Sequence, residues 1–231
     1  YTNEQNYITA VGAYCLYSNS SGQLNSGLGY YAGYNLTSGS NNTILGNQAG
    51  SSLTTGGGET HVGNYAGYHI TTGGGTGYNT SLGYTAQYKT TTGYYNVAVG
   101  AFALDANSTG SYNTAFGKHA LTASTTADYN SAFGTTSLYS NTTGNYNTTV
   151  GADSLKENTT ASNNTACGYA ALKENVTGAN NTAIGDRSLE ANLGGDNTSV
   201  GSISLQSNTT GYNNVAVGRN SLNANTTGAS N

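Results

Sequence analysis

Residues 112–134 read YNTAFGKHALTASTTADYNSAFG, and one five-residue phrase occurs twice in this stretch. NTAFG at 113–117 returns as NSAFG at 130–134, seventeen residues later. A phrase that recurs at a fixed period predicts a repeat architecture. The glycine that closes the phrase recurs through the chain at Gly12, Gly29, Gly46, Gly63, Gly83, Gly100, Gly117, Gly134, Gly151, Gly168, Gly185, Gly201 and Gly218. The steps are 17 residues, except for one of 20 and one of 16.

The pattern predicts a single continuous repeat array over residues 1–231, with an insertion at 73–77 and a deletion near Gly194. The units begin at Ile8, Asn25, Asn42, Glu59, Asn79, Asn96, Asn113, Asn130, Asn147, Asn164, Asn181, Asn197 and Asn214. The sequence starts partway through a unit, has no methionine, and shows no capping repeat at either end. We therefore expect a segment of a longer chain or filament. No charged-then-apolar leader and no long apolar run is present, so no membrane insertion is expected in this segment.

Composition narrows the class of protein. Charged residues make up 7% of the chain, glycine numbers 34 and proline is absent. Low charge with few large apolar residues could indicate disorder, but a disordered segment has no reason to hold an apolar residue at one fixed phase. The net charge of −4, with six basic residues, argues against nucleic-acid binding.

Seventeen residues are too few for a helical hairpin repeat but suit one coil of a parallel β-solenoid. The segment up to the closing glycine predicts one strand, the following x-A/S-L-x predicts a second, and N-T-T-G predicts a turn with positive φ at Asn or Gly. The expected fold is all-β, with about thirteen coils. The turn glycines singled out are Gly100, Gly117, Gly134, Gly151, Gly168 and Gly185.

Two apolar columns are predicted to form the core. The first is the residue before each closing glycine: Val11, Leu28, Leu45, Val62, Leu82, Val99, Phe116, Phe133, Val150, Cys167, Ile184, Val200 and Val217. The second is the leucine four positions after each closing glycine: Leu104, Leu121, Leu138, Leu155, Leu172, Leu189, Leu205 and Leu222. Where this leucine is replaced by Gly33, Gly50 or Gly67, an aliphatic residue three positions later is expected to compensate.

The core predicted in this way is thin. About two large apolar side chains a coil, at roughly 1.5–3 kcal/mol each, stand against an ordering cost of about 25 kcal/mol for the coil. We therefore expect several chains to associate side by side. Cys15 and Cys167 lie many coils apart, so they are expected to be buried free thiols, not a disulfide.

Three polar or aromatic features could face solvent or stack. The Asn that opens most units predicts a ladder of stacked amides. A column of tyrosines predicts either an aromatic binding stripe or a packing seam, at Tyr78, Tyr95, Tyr112, Tyr129 and Tyr146. Possible N-glycosylation sites occur at Asn19, Asn35, Asn41, Asn79, Asn107, Asn141, Asn147, Asn158, Asn163, Asn175, Asn180, Asn197, Asn208 and Asn225.

The phrases NNTAIGDRSL at 180–189, YNNVAVGRNSL at 212–222 and NTTGNYNTTVG at 141–151 resemble the head repeats of YadA-like trimeric autotransporter adhesins. They are also similar to the longer-looped repeats of bacteriophage tail fibres and bacterial surface fibres, as are GNQAGSSLTTGGG and GNYAGYHITTGGG. The resemblance covers residues 8–231. It implies a left-handed parallel β-roll, three chains side by side, and a place on a cell or virion surface.

No catalytic or cofactor-binding constellation is evident. His61, His69 and His119 fall on different columns, so no metal site or His-dependent nucleophile is predicted. Glu157 and Glu174 each follow a lysine and are expected to lie on a charge-balanced solvated face. The glycine runs at 54–60 and 71–77 lack the Lys-Ser/Thr of a phosphate loop and are expected to be turns. We predict a protein that is not an enzyme and that has no cofactor.

Three functions remain open. The first is a structural extracellular fibre or filament that gives length and stiffness and whose partner is itself, with side-by-side association expected and end-to-end association left open. The second is an adhesin or receptor-binding region for glycans or matrix proteins. The third, less favoured, is an ice-binding solenoid, because Thr114, Thr148, Thr165 and Thr182 share one column that Val97 and Val215 interrupt.

Overall fold

A computed structural model of the chain describes residues 7–71, 75 and 77–231. Most of the insertion predicted at 73–77 lies outside the described residues. The described chain has thirteen parallel strands of three residues each, in a β-solenoid of about 12 turns. The strands are β1 (Thr9–Val11), β2 (Ser26–Leu28), β3 (Thr43–Leu45), β4 (Thr60–Val62), β5 (Thr80–Leu82), β6 (Val97–Val99), β7 (Thr114–Phe116), β8 (Ser131–Phe133), β9 (Thr148–Val150), β10 (Thr165–Cys167), β11 (Thr182–Ile184), β12 (Thr198–Val200) and β13 (Val215–Val217).

Each strand begins one residue after a predicted unit start, so the predicted all-β solenoid is confirmed. The chain divides into two compact units, Tyr1–Tyr112 and Asn113–Asn231. Within the first, Leu28 pairs with Leu45 and Val62 with Leu82. Within the second, Phe116 pairs with Phe133 and Thr182 with Thr198. Register is therefore kept across both the 20-residue and the 16-residue steps, while the handedness of the coil and the single continuous array remain predictions.

The predicted second strand does not form, because the segment after each closing glycine is a series of turns. Two of its residues have positive φ, as at Phe102 (60°) and Leu104 (53°). Alternation of right- and left-handed residues curls the backbone, so it cannot extend as a strand. The amides still bond between coils, as from Leu121 N to Ser137 O at 3.0 Å. The positive φ predicted for the N-T-T-G turn is thus found elsewhere, and mostly at residues other than glycine.

The first predicted core column is wrong, because it lies on the outer side of the strands. A three-residue strand points its first and last side chains one way and its middle side chain the other. The middle residue, usually Ala, Ser or Thr, is the one that is buried. We call the outward column the outer apolar column; its exposed members are Val11, Leu28, Leu82, Phe116, Phe133, Val150, Cys167, Ile184 and Val217. Leu45, Val62, Val99 and Val200 are half-buried.

The second predicted core column is correct from Leu104 to Leu205, where every leucine is fully buried. Leu222, in the last coil, is 38% exposed, and its prediction is wrong. We call coils of this kind Leu-type coils. The predicted compensation is also confirmed, since Leu36, Leu53 and Ile70 are fully buried where Gly33, Gly50 and Gly67 replace the leucine. We call these three the Gly-type coils.

Gly134 shows why a residue with a Cβ does not fit at a closing glycine. Gly134 has a φ of 139°, and a Cβ there would collide with the carbonyl oxygen of Gly151 in the next coil. The absence of a side chain at Gly134 thus lets two successive coils approach closely at the end of the strand.

Candidate interaction surfaces

A ladder of buried asparagines runs at the start of the coils in each unit. Asn42 donates from both its backbone N and its Nδ2 to Oδ1 of Asn25, at 3.0 and 3.1 Å. Asn147 does the same to Asn130, at 3.0 and 3.2 Å. The side chains are buried, so each unpaired amide would be costly. The predicted amide ladder is present, and it serves to fix the coil spacing.

A second ladder was missed by the sequence reasoning. In the Leu-type coils the Asn of the N-T-T-G turn points inward, and Asn158 Nδ2 donates to Asn141 Oδ1 at 2.7 Å. Both ladders converge on one carbonyl, since Asn158 and Asn147 donate to Ala161 O at 3.0 and 2.9 Å. The regular recurrence of this Asn seven positions after the closing glycine was the signal that could have revealed it.

The two ladders remove most of the possible glycosylation sites. A buried amide that holds a hydrogen-bond network cannot carry a glycan in the folded chain. The buried asparagines are Asn79, Asn107, Asn141, Asn147, Asn158, Asn175, Asn197 and Asn208. Asn19 and Asn225 are half-buried. Only Asn35, Asn41, Asn163 and Asn180 are exposed, so the hypothesis is wrong for the buried positions and stays open at these four.

The outer apolar column is the most distinctive surface. One apolar side chain is presented at every strand, and Phe116 and Phe133 stack at 6.4 Å between ring centroids. Phe116 is 53% exposed and Val217 70% exposed. A row of large apolar side chains on one face is unusual for an isolated soluble chain and is typical of an interaction surface.

The predicted tyrosine column is exposed, and its rings stack on one another. Tyr78 and Tyr95 lie 5.4 Å apart at 8°, and Tyr95 and Tyr112 lie 5.2 Å apart at 24°. In the second unit Tyr129 and Tyr146 lie 5.2 Å apart at 7°. Because neighbouring rings cover each other's faces, this column presents ring edges and hydroxyl groups to solvent, not open faces.

A separate cluster of tyrosines, which the sequence reasoning did not single out, lies in the first compact unit, Tyr1–Tyr112. Tyr17 and Tyr34 stack at 5.5 Å and 9°, and Tyr68 and Tyr88 stack at 5.4 Å and 16°. Ser51 occupies the intervening position of this column. Partial loss of contact with water raises the pKa of Tyr31 in this cluster, and neighbouring phenols raise it further.

One buried titratable pair, Glu59 and His61, includes a position of the first ladder. Glu59 takes the place of Asn and accepts from Asn79 N at 3.1 Å through Oε2. The same oxygen lies 3.5 Å from Nε2 of His61, and both side chains are inaccessible to solvent. Burial raises the pKa of Glu59 to about 8 and lowers the pKa of His61 to about 4, so both groups are neutral at pH 7. The pair is therefore a structural element of the core.

The two cysteine thiols and the Lys156–Asp153 ion pair lie at separate places along the chain. Cys15 is half-buried and Cys167 is exposed, so the expectation of a buried thiol is wrong for Cys167. Lys156 pairs with Asp153 at 3.4 Å, not with a glutamate. Within the described residues no group of three or more His, Cys, Asp or Glu side chains could hold a metal ion.

Comparison with known proteins gives no match to a family model and none to a curated protein. No helix with the length and apolar character needed to cross a bilayer is found in the described part of the chain.

Proposed function

We propose that the chain is a segment of an extracellular structural fibre that associates side by side with copies of itself. The observation that carries this proposal is the outer apolar column. An isolated chain would expose Val and Leu side chains of this column to water in the first compact unit, and Phe, Val and Ile side chains in the second.

A second copy of the chain fits this surface best. Strands in a parallel solenoid are spaced at about 4.8 Å, so the column offers one apolar side chain at each such step. Only a partner with the same spacing can meet every step, and another copy has it by construction. Closed symmetry is the usual outcome when copies of one chain associate, and a trimer is the closed assembly that the resemblance implies.

Sedimentation analysis of the chain and of a variant tests this. Phe116→Ser, Phe133→Ser and Ile184→Ser together should turn a concentration-dependent oligomer into a monomer, because they remove apolar area that only association buries. A matched control carries Tyr129→Ser and Tyr146→Ser, which change exposed aromatic residues of the same unit outside the column, and should still assemble. A wild-type chain that is folded but monomeric at every concentration, or that gives only isolated globules in electron micrographs, would refute the proposal.

Adhesion is the second candidate, favoured by the exposed tyrosine column at Tyr78, Tyr95 and Tyr112. Its edges and hydroxyls could contact glycans or matrix proteins on a partner surface. Glycan-array and matrix-binding assays on the assembled protein should give a signal that falls when these tyrosines are replaced by serine. No signal from a correctly assembled sample would reject this candidate.

A further inference from the structure

Two columns of tyrosine are interrupted at the same coil. The first column contains Tyr17, Tyr34, Ser51, Tyr68 and Tyr88, one from each successive coil. Tyr17 stacks on Tyr34, and Tyr68 stacks on Tyr88. The ring that would continue the stack is missing at Ser51, so the inner faces of Tyr34 and Tyr68 have no aromatic neighbour in this column.

The neighbouring column has its gap at the same level. Tyr14 and Tyr31 pack at 4.9 Å between centroids, and Gln48 then takes the place of the next tyrosine. Two interruptions in one coil leave a space that neither would leave alone. The space is a cavity of about 280 Å³ lined by Tyr30, Tyr31, Tyr34, Asn35, Gln48, Ser51 and Tyr68.

The dimensions of the gap suit one ring. Tyr34 and Tyr68 are two coils apart, which is about 10 Å at the usual strand spacing. Each intact pair in the column has its rings about one coil apart, at 5.4–5.5 Å. A single flat or puckered ring placed between Tyr34 and Tyr68 would thus lie at stacking distance from both.

The polar lining decides what kind of ring. Asn35 donates through Nδ2 to Ser51 O at 2.9 Å, which holds its amide at the edge of the gap. The side-chain amide of Gln48 and the hydroxyl of Ser51 form no hydrogen bond with the described residues. The lining contains no Asp, Glu, Lys, Arg or His side chain. An aromatic guest would cover these polar groups without satisfying them, whereas a polyol would bond to them.

The geometry points to a binding slot for a single neutral saccharide ring between Tyr34 and Tyr68. The C–H faces of the pyranose pack on the two phenol rings, and its hydroxyl groups meet the amides of Asn35 and Gln48 and the hydroxyl of Ser51. The slot lies within one chain, so this inference goes beyond the proposed fibre role and does not depend on assembly.

Saturation-transfer NMR on the full chain tests the slot, with methyl β-glucopyranoside, methyl β-galactopyranoside and N-acetylglucosamine as saccharide probes and p-cresol as the aromatic probe. At least one saccharide should bind saturably with a dissociation constant of about 1 mM, as expected for a ligand of this size. Ser51→Tyr fills the gap with the missing ring and should weaken that binding by at least about 10-fold. Lys173→Tyr is the matched control and should bind as the wild type does. Lys173 has the same position in its repeat as Ser51 but lies in the second compact unit, Asn113–Asn231.

Two further measurements keep the result decisive. Ser51→Tyr should keep or raise the Tm, because it completes a stack. If it fails to fold, Tyr34→Leu and Tyr68→Leu each remove one wall and should weaken binding by at least about 5-fold. The triple serine variant of the outer apolar column should bind the saccharide unchanged even when it no longer assembles. The inference is overturned if no saccharide binds the wild type, if Ser51→Tyr binds equally well, or if p-cresol binds more tightly than every saccharide.

Discussion

The Gly-type and Leu-type coils solve the same packing problem in opposite ways. In a Leu-type coil the large side chain is Leu155 or its equivalent, and an Asn three positions later joins the second ladder. In a Gly-type coil the leucine position is Gly50 or its equivalent, and Leu53 takes the place of that Asn. The interior holds about the same apolar volume in both, but only the Leu-type coil carries two polar ladders.

The contrast extends to the middle of the strand. Leu-type coils have only Ala, Ser or Thr there, whereas two of the Gly-type coils have Ile44 and His61. A Cβ on Gly33 would lie 2.9 Å from Cδ1 of Ile44. The missing side chain at the glycine thus makes room for a larger residue in the next coil. Polar and apolar positions are therefore coupled within a coil and matched between successive coils.

The largest expected effect comes from exchanging the two solutions. Leu53→Asn would place an amide between Leu36 and Ile70, where it has no ladder partner, and would also lose apolar volume. We expect the free energy of unfolding to fall by about 4 kcal/mol.

The reverse change, Asn158→Leu, would remove the donor to Asn141 Oδ1 and should lower the free energy of unfolding by about 3 kcal/mol.

Chemical denaturation measures both changes. Ser52→Asn, a half-buried neighbour outside the packed column, is the control and should change stability by no more than about 0.5 kcal/mol. A cost below about 1 kcal/mol for Leu53→Asn would show that the two kinds of coil do not differ in what they tolerate.

How far the sequence predicts this structure depends on which property is asked for. The period alone places every strand, since Asn25 and Asn113 each lie one residue before one. The side of each strand that faces the interior was predicted wrongly, because Phe116 looks more like a core residue than Ala115 does. The interior of so small a coil has room only for a short side chain at the strand centre. The restriction of that position to Ala, Ser or Thr in the Leu-type coils was therefore the better indication of the buried side.

Surface sites were predicted less well for a related reason. Column membership identified the exposed Tyr78 and Tyr95, but a sequon such as Asn158 looks the same whether its amide is buried or exposed. The Ser51 slot depends on which residues are absent from a column, and its significance emerges only once Tyr34 and Tyr68 are known to stack on their outer neighbours.

The second expected effect tests the space at the leucine position. Gly67 has a φ of 60°, and a Cβ there would collide with the imidazole of His61. Gly67→Ala should therefore cost about 3 kcal/mol of unfolding free energy, whereas Gly75→Ala, whose Cβ would meet no atom of the described residues within 4 Å, should cost little.

A double mutant separates the two causes of strain in Gly67→Ala. Leucines occupy the same backbone conformation in the Leu-type coils, as at Leu172 with a φ of 53°. If the collision is the main cause, His61→Ala should offset about 2 kcal/mol of the cost, and the coupling is read from the double-mutant cycle. Additive effects of the two substitutions would place the strain in the backbone instead.

The third effect is a pH dependence that belongs to the Gly-type region. The pKa of Glu59 is about 8 in the folded chain against 4.5 unfolded, so the folded state holds more protons between these values and stability falls as pH rises. The pKa of His61 is about 4 against 6.5, so stability rises with pH between those values. The two trends cancel from pH 4.5 to 6.5, and only the decline remains from 6.5 to 8. It should amount to about 2 kcal/mol.

Replacement of the carboxyl group isolates this dependence. Glu59→Asn restores the residue that the first ladder has in the Leu-type coils. The free energy of unfolding of this variant, relative to that of the wild type, should rise as the pH rises from 6.5 to 8. Urea unfolding at a series of pH values measures it. A constant difference between the two proteins over that interval would show that Glu59 is already ionised in the folded chain.

The smallest expected effect concerns backbone strain within the Leu-type coils. Ile203 has a φ of 53°, a conformation that a β-branched residue disfavours, whereas Asn220 holds the same position one coil later with a φ of 61°. Ile203→Asn should stabilise the chain by about 0.5 kcal/mol, since relief of strain exceeds the loss of a half-buried side chain, and should raise the Tm by about 1–2 °C. Ile203→Val keeps the branch at Cβ and should give no such gain. If the valine variant proved the more stable of the two, side-chain packing rather than backbone conformation would govern this position, and the Leu-type coil would resemble the Gly-type coil in being limited by its contacts.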